Sequence, residues 1–269
     1  MIQNNNTSVL PFYSSKNEQD RFRSYAYGDI YPLYTPTNKI PPFQIIVASG
    51  SWGQVQSARI MRASDDFEQS VITPYMTVGL TKYQKTGYDV LVYKGGGTIT
   101  EIPEGQYYII MSDGWRTIYS DVFTAVKDIS HYTKIEWNDV DDLEGDGWGI
   151  VYNMSSLGTF VNRLYLNVEL GKPDYVFEEE GETRDGFFFP EKQISEKTYK
   201  CTILAPEYLC DVMRFIRMSD VINVVDSYGR TYSVDTFLIT PKWQDQGNLA
   251  SVEIEFQTAT VAKKIGRTM

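Results

Sequence analysis

The sequence contains few residues of the types and spacing that catalysis requires. His131 is the only histidine, and no Gly-x-Ser-x-Gly nucleophile elbow occurs, so a serine or cysteine triad has little support. Cys201 and Cys210 are the only cysteines, lie about 70 residues from His131 and form no Cys-x-x-Cys pair, which argues against a zinc site. We therefore predict a protein without catalytic activity, resident metal or cofactor.

Two further patterns resemble ligand-binding loops only in part. Gly95-Gly96-Gly97 is followed by neither a Lys-Ser/Thr pair nor a helix pattern, so a flexible hairpin turn explains it better than a phosphate loop. The acidic segment Asp139–Asp146 begins like an EF-hand loop at Asp142, but the twelfth position is Asn153 instead of glutamate. We expect a solvated loop there, with weak cation binding as the alternative.

Composition and charge exclude several classes of partner. The net charge of −10 argues against a nucleic-acid-binding protein, because such proteins must neutralise phosphates, and it disfavours an anionic membrane surface. No run approaches the roughly 18 apolar residues of a membrane span. The first thirty residues have neither a basic start nor an apolar core, so no signal peptide is expected. Cytoplasmic synthesis also favours free thiols over a Cys201–Cys210 disulfide.

The clearest elements lie between Thr198 and Thr258. Alternating apolar and polar residues predict a strand at Tyr199–Ile203 and another at Ala250–Phe256. Between them, apolar residues at helical spacing predict one amphipathic helix over Pro206–Met218, with a buried stripe formed by Leu209, Val212, Met213 and Ile216. A hairpin of Val221–Val225 and Thr231–Thr240 follows, with Gly229 in its turn and Pro241 ending its second strand. The stripe is expected to pack on the sheet face carrying Val252, Ile254 and Phe256.

Turn signals divide the remaining chain into three regions. Residues 1–38 are polar and predict an irregular N-terminal arm, either lying on the next domain or docking on a neighbouring subunit through Tyr27 and Tyr31. Residues 39–128 have the strand rhythm of an immunoglobulin-like β-sandwich, and residues 129–269 predict a β-sandwich or split barrel with one flanking helix. The seven strands predicted in the sandwich are Phe43–Ala48, Ala58–Met61, Val71–Leu80, Tyr88–Tyr93, Thr98–Ile102, Tyr107–Met111 and Thr117–Val126.

An aromatic run and an acidic run mark a candidate interface in the second domain. Glu178–Glu182 is interpreted as an acidic loop that could steer a basic partner surface. Phe187, Phe188 and Phe189 follow it, and on a strand Phe187 and Phe189 would lie on one face and Phe188 on the other. At least one of them is therefore expected to be exposed as part of an interface.

The C-terminal half resembles a known class of structural protein. The residues that carry the resemblance are Ser219-Asp220-Val221, Tyr228-Gly229-Arg230-Thr231-Tyr232, Thr240-Pro241-Lys242-Trp243 and the segment from Gln246 to Phe256. In style and element order, residues 130–265 resemble tail proteins of bacteriophages or prophages, of the tail-tube, distal-tail or baseplate kind. Such proteins use a helix-flanked β-sandwich or split barrel, assemble into rings, and often carry an immunoglobulin-like module, although here that module would come first.

The resemblance implies a structural role in a virion tail. The expected partners are other tail proteins and further copies of this chain, with assembly in the host cytoplasm before incorporation into the tail. A carbohydrate-binding β-sandwich is the alternative, with exposed tryptophans as sugar platforms. Its four candidates are Trp115, Trp137, Trp148 and Trp243, of which Trp148 in the acidic loop is the best and Trp243 is expected to be a structural plug.

Overall fold

The computed structural model describes residues 2–3, 8–23, 32–138, 160–243, 249–258 and 262–265. It confirms a mainly β protein, with 54% of residues in strands and 10% in helices. In chain order the elements are β1 (Ile2–Gln3), β2 (Phe12–Tyr13), α1 (Lys16–Arg23), β3 (Tyr34–Pro36), β4 (Phe43–Ala48), β5 (Ser57–Arg62), β6 (Glu68–Val71), α2 (Thr73–Gly79), β7 (Leu80–Lys85), β8 (Tyr88–Tyr93), β9 (Gly105–Ser112), β10 (Thr117–Ser120), β11 (Phe123–Val126), β12 (Thr133–Asn138), β13 (Asn162–Leu166), β14 (Asp174–Arg184), β15 (Phe187–Ala205), α3 (Glu207–Ile216), β16 (Val221–Val225), β17 (Thr231–Trp243), β18 (Ala250–Thr258) and β19 (Ala262–Ile265).

Two sheets organise these strands. A small antiparallel sheet has the order β1-β4-β8-β7, and a long ladder runs β14-β15-β18-β17-β16-β12-β13-β3-β11-β9-β10-β2. Two domains that meet at residues 128 and 129 should have separate sheets, but the ladder continues from one predicted domain into the other. The crossing is narrow, because β13 and β3 share the single register pair Tyr165 and Tyr34. The boundaries of the two predicted domains stay a prediction.

The N-terminal segment predicted to be irregular, residues 1–38, is partly folded. Val9, Leu10 and Phe12 are at most 3% exposed and belong to the main core. β2 pairs with β10, and α1 follows directly, with the Gln19 side chain donating to the Ser120 carbonyl oxygen at 2.6 Å. The sequence prediction missed these elements because the apolar run is too short, and interrupted by Pro11, to show a period. Residues 24–31, with Tyr27 and Tyr31, lie outside the described residues.

Most predicted strands of the first half are confirmed, with three corrections. Val71–Leu80 is mainly the short helix α2, which has Pro74 in its first turn, where a proline is well tolerated. Thr98–Ile102 is irregular, but Ile99 and Ile102 are buried and their N–H groups bond to the carbonyls of residues 38 and 37. Thr117–Val126 is divided into β10 and β11.

The predicted order of strand, helix, hairpin and strand is confirmed, and so is the buried face of the helix. α3 begins after Pro206, and its predicted stripe, Leu209, Val212, Met213 and Ile216, is at most 1% exposed. The stripe lies in one core cluster with Val252, Ile254 and Phe256 of β18, whose alternate residues are buried as expected. β17 continues through Pro241 to Trp243 instead of ending there. A proline is tolerated at that point because, in the described residues, this part of β17 pairs with β18 alone.

Both cysteines are buried free thiols, as the sequence predicted. Cys201 lies on β15 and Cys210 on α3. Burial raises the pKa of each thiol to about 11, so neither is a reactive thiolate at neutral pH. Their role is packing.

Asp226 organises the turn between β16 and β17. Its Oδ1 accepts hydrogen bonds from the backbone N–H groups of Tyr228 and Arg230, and its Oδ2 accepts from Arg230 Nε at 2.7 Å and the Tyr232 hydroxyl at 3.0 Å. Gly229 takes a φ of 77° in this turn, which glycine adopts without strain. Burial alone would raise the pKa of Asp226, but these hydrogen bonds outweigh it and hold the pKa below its ordinary value of 3.8.

Replacing Asp226 by alanine is expected to cost about 2 kcal/mol of unfolding free energy at pH 7, because several hydrogen bonds to a charged group are lost. A carboxylate whose folded pKa is lowered contributes stability above its unfolded pKa, and that contribution is lost as the pH falls through the folded pKa. The difference between wild type and Asp226→Ala should therefore shrink between about pH 4 and pH 2. Urea denaturation across this range measures it. Asp235→Ala, at an exposed position of the same hairpin, is the control; an equal loss there would contradict the assigned role.

Candidate interaction site

The most exposed ordered feature is a hairpin that we call the arm, residues 174–197. It consists of β14 and the first half of β15, paired in antiparallel register from Asp174 opposite Thr198 to Arg184 opposite Phe187. Asp185 and Gly186 form its tip, both with positive φ, at 52° and 81°. Eleven residues of β14 at about 3.3 Å each give the arm a length of about 35 Å.

Both faces of the arm are open to solvent. Every residue of β14 is exposed, and successive strand residues point to opposite faces, so no part of the body covers either face of β14. Isolated two-stranded hairpins are marginally stable in water. Within the arm, residues 192–195 of β15 have a second neighbouring strand, which is β19. Further along β15, residues 198–205 pair with β18 and enter the body.

The arm carries an aromatic face and a charged face. Residues directly opposite each other in the ladder share a face. Tyr175, Phe177 and Phe188 therefore lie on the same face of the arm, with exposures of 69%, 59% and 48%. The other face carries Glu178, Glu180, Glu182 and Arg184 together with Val176 and Phe187, the last 70% exposed. The predicted separation of Phe187 from Phe188, and the exposure of at least one of them, is confirmed. Phe189 lies opposite Glu182 in the ladder.

The acidic segment Glu178–Glu182 is part of strand β14, so its interpretation as a loop is wrong. Cross-strand bonds explain why the carboxylates fit a strand, since Gln193 Nε2 donates to Glu179 at 2.6 Å and Lys192 lies 3.5 Å from Glu180. Arg184 Nε donates to Glu182 at 2.8 Å. Tyr175 and Phe177 were missed as interface residues. The signal that could have found them is the Asp185-Gly186 turn, because a hairpin there brings the Tyr175–Phe177 segment into the strand that pairs with the one after Phe187.

The free edge of β14 is strongly acidic. In the described part of the chain, β14 pairs with β15 alone, so its outer edge has unpaired backbone groups. The strand has five acidic residues and one arginine, a net charge of 1 − 5 = −4. On the other side of the arm, β19 has the sequence Ala-Lys-Lys-Ile and a net charge of +2. One edge of this sheet region is therefore acidic, and the strand at the opposite side is basic.

The residues considered for a triad or a zinc site lie on separate parts of the fold: His131 just before β12, Cys201 on β15 and Cys210 on α3. No group of three or more histidine, cysteine, aspartate or glutamate side chains that could hold a metal occurs in the part of the chain that the structure describes. His131 is an exposed side chain whose Nδ1 lies 2.8 Å from Glu169 Oε1, and this hydrogen bond raises the pKa of His131. The acidic segment Asp139–Asp146, for which we expect a solvated loop with weak cation binding as the alternative, and Trp148 lie outside the described residues.

The other candidate tryptophans do not share one environment. Trp137 is 1% exposed in β12, so it is a core residue and cannot be a sugar platform. Trp115 is 93% exposed in the turn between β9 and β10, and Trp243 is 47% exposed at the end of β17. The half-exposed Trp243 side chain does not fit the predicted structural plug.

Neither protein-family models nor curated protein sequences match this chain. Within the described ranges, no helix has the length and apolar content needed to span a membrane. The geometry of the arm is thus the principal guide to function.

Proposed function

We propose that this protein is a non-catalytic structural subunit of a phage or prophage tail, of the distal-tail or baseplate kind. It assembles with other tail proteins and with copies of itself, in the host cytoplasm and then in the virion tail. The finer fold assignment belongs to the same proposal: an immunoglobulin-like sandwich over residues 39–128 and a split barrel flanked by α3 over residues 129–269. The element order from β15 to β18 supports the second part of that assignment.

The observation that carries the proposal is the uncovered arm. Five of the fourteen large apolar side chains that are exposed in the described residues lie on it: Tyr175, Val176, Phe177, Phe187 and Phe188. Exposed aromatic side chains mark protein interfaces, because the burial of a few such side chains supplies most of the binding energy. A subunit that assembles with others would cover both faces of β14.

The charges on the arm favour a basic partner strand at the β14 edge. Two β14 edges brought together would oppose carboxylates to carboxylates, which is destabilising, so the acidic run disfavours aggregation of like edges. An incoming strand with lysines would satisfy both the backbone groups and the charges. The Lys263-Lys264 pair of β19 gives this chain such a strand, and head-to-tail contacts of one chain with itself close naturally into a ring.

Removing the aromatic face of the arm should abolish assembly without unfolding the subunit. The variant is Tyr175→Ser, Phe177→Ser and Phe188→Ser together, at three exposed positions. Co-expression with the products of the flanking genes, followed by mass measurement and electron microscopy, should give a multi-subunit complex for wild type. We expect at least a hundredfold weaker association for the variant, since each buried aromatic anchor contributes about 1 to 2 kcal/mol.

Trp115→Ser is the control, because Trp115 is an even more exposed aromatic residue and lies outside the arm. It should assemble like wild type, and the melting temperature of both variants should stay within a few degrees of the parent. A complex of unchanged mass and affinity in the triple variant would overturn the role of the arm. If wild type forms no complex and the chain alone binds a defined glycan, the carbohydrate-binding alternative replaces the structural function.

A further inference from the structure

The tip of the arm carries an Asp-Gly pair that is open to solvent. Asp185 and Gly186 are both exposed, and their positive φ angles of 52° and 81° turn the chain between Arg184 and Phe187, the last pair of the ladder. A Cβ added to Gly186 would meet no atom within 4 Å, so the space beside its backbone is open. Among the described residues, the Asp185 carboxylate has no hydrogen-bond or ion-pair partner. This carboxylate is therefore free to approach the backbone nitrogen of Gly186.

An aspartate that precedes a glycine can react with the backbone without an enzyme. The glycine nitrogen attacks Cγ of the aspartate, a C–N bond forms, and one carboxyl oxygen leaves as water with the amide proton and a proton from solvent. Hydrolysis of the resulting succinimide ring at either carbonyl then gives aspartate or isoaspartate. The sequence consumes no oxidant, reductant or further reactant, because the water that is lost is replaced. Glycine favours the attack, since it has no Cβ to hinder the approach or to restrict the backbone.

The same chain contains a second Asp-Gly pair whose carboxylate is held in place. Asp113 is 4% exposed in the turn between β9 and β10, and Gly114 follows it. Its Oδ1 accepts hydrogen bonds from the N–H groups of Trp115 at 3.0 Å and Arg116 at 2.8 Å, and its Oδ2 accepts from the Gly53 N–H at 3.0 Å. Burial alone would raise the pKa of Asp113, but these bonds outweigh it and hold the pKa below its ordinary value of 3.8. Attack by the Gly114 nitrogen would have to break these bonds first.

We propose that Asp185 is a site of spontaneous covalent modification, at which the Asp185-Gly186 linkage isomerises through a succinimide to isoaspartate while Asp113 stays unmodified. The isoaspartyl chain runs through Cβ and Cγ of residue 185, so the turn gains a backbone atom without a change of charge. A two-residue hairpin turn has a fixed geometry, and the pair of Arg184 and Phe187 that it closes should therefore separate. The reaction depends on the exposure of the tip alone, whether or not the arm binds a partner.

Incubation of the folded full-length chain in water enriched in the heavy oxygen isotope tests the modification. After digestion, chromatography with mass spectrometry should show an isoaspartyl peptide at Asp185 that contains one heavy oxygen atom. It should form at least about tenfold faster than the equivalent peptide at Asp113, because the hydrogen bonds to that carboxylate add to the barrier. The third Asp-Gly pair, Asp146-Gly147, lies outside the described residues, and peptide mapping distinguishes it from the other two.

The same chain unfolded in urea is the matched control, since both pairs are then open and should isomerise at similar rates. Asp185→Gly keeps the turn, because glycine adopts positive φ freely, and should abolish the product at this position. In the aged wild type, backbone amide exchange at Phe187 should be faster than in the fresh protein, whereas aged Asp185→Gly should not change. Equal rates at Asp185 and Asp113 in the folded protein, or a difference that persists in urea, would overturn the proposal.

Discussion

Replacing Val212 by aspartate should destabilise the protein by roughly 4 kcal/mol, which is a large part of the 5 to 15 kcal/mol that stabilises an ordinary domain. Val212 is 1% exposed on α3 and lies in the same cluster as Val252 and Ile254. An ionised carboxylate there would be buried in an apolar cluster away from water, and unpaired buried charges are among the most destabilising substitutions. Chemical denaturation at pH 7 measures the loss.

Two further variants separate charge from volume at this helix. Val212→Ala removes about two methyl groups and should cost only about 2 kcal/mol. Arg214→Ala, at an exposed position of α3, should change stability by less than about 0.5 kcal/mol. Unchanged stability of Val212→Asp would show that this face of the helix is solvated and that the core assignment is wrong.

Truncating Trp137 should have an effect of similar size by a different mechanism. Trp137 is among the largest fully buried side chains, and Trp137→Ala leaves a cavity near the end of β12, where Trp137 lies opposite Asn162 of β13 and Ile222 of β16. Large-to-small changes of this kind cost about 3 to 5 kcal/mol. Trp115→Ala, at a side chain that is 93% exposed, should be nearly neutral. Equal melting temperatures for the two variants would contradict the buried position of Trp137.

Sequence patterns predicted the elements whose signals are local. β4, β8 and β16 match the predicted bounds, because each is a short apolar or alternating run bounded by turn residues. The helix stripe around Val212 was identified for the same reason, since four apolar residues at helical spacing define one face. These elements need no information from distant parts of the chain.

The missed features depend on distant partners. β2 is two residues long and exists because β10 supplies its neighbour, and no local period can report that. Pro241 is tolerated in β17 because of which strand lies beside it, and the carboxylates of Glu178–Glu182 fit a strand because β15 provides cross-strand partners. Tyr175 and Phe177 were missed in consequence, because they precede a run that looked like a loop.

Early and late parts of the chain meet in this core, and this constrains folding during synthesis. Gln19 is fully buried and donates to Ser120, 101 positions later, so its site does not exist when it leaves the ribosome. At about 5 to 20 residues per second, the wait is roughly 5 to 20 seconds. Until β10 is made, β2 has no partner strand, so Val9, Leu10 and Phe12 cannot reach the buried positions that they have in the folded protein. The time taken to translate residues 20–120 therefore sets the earliest moment at which this part of the core can form.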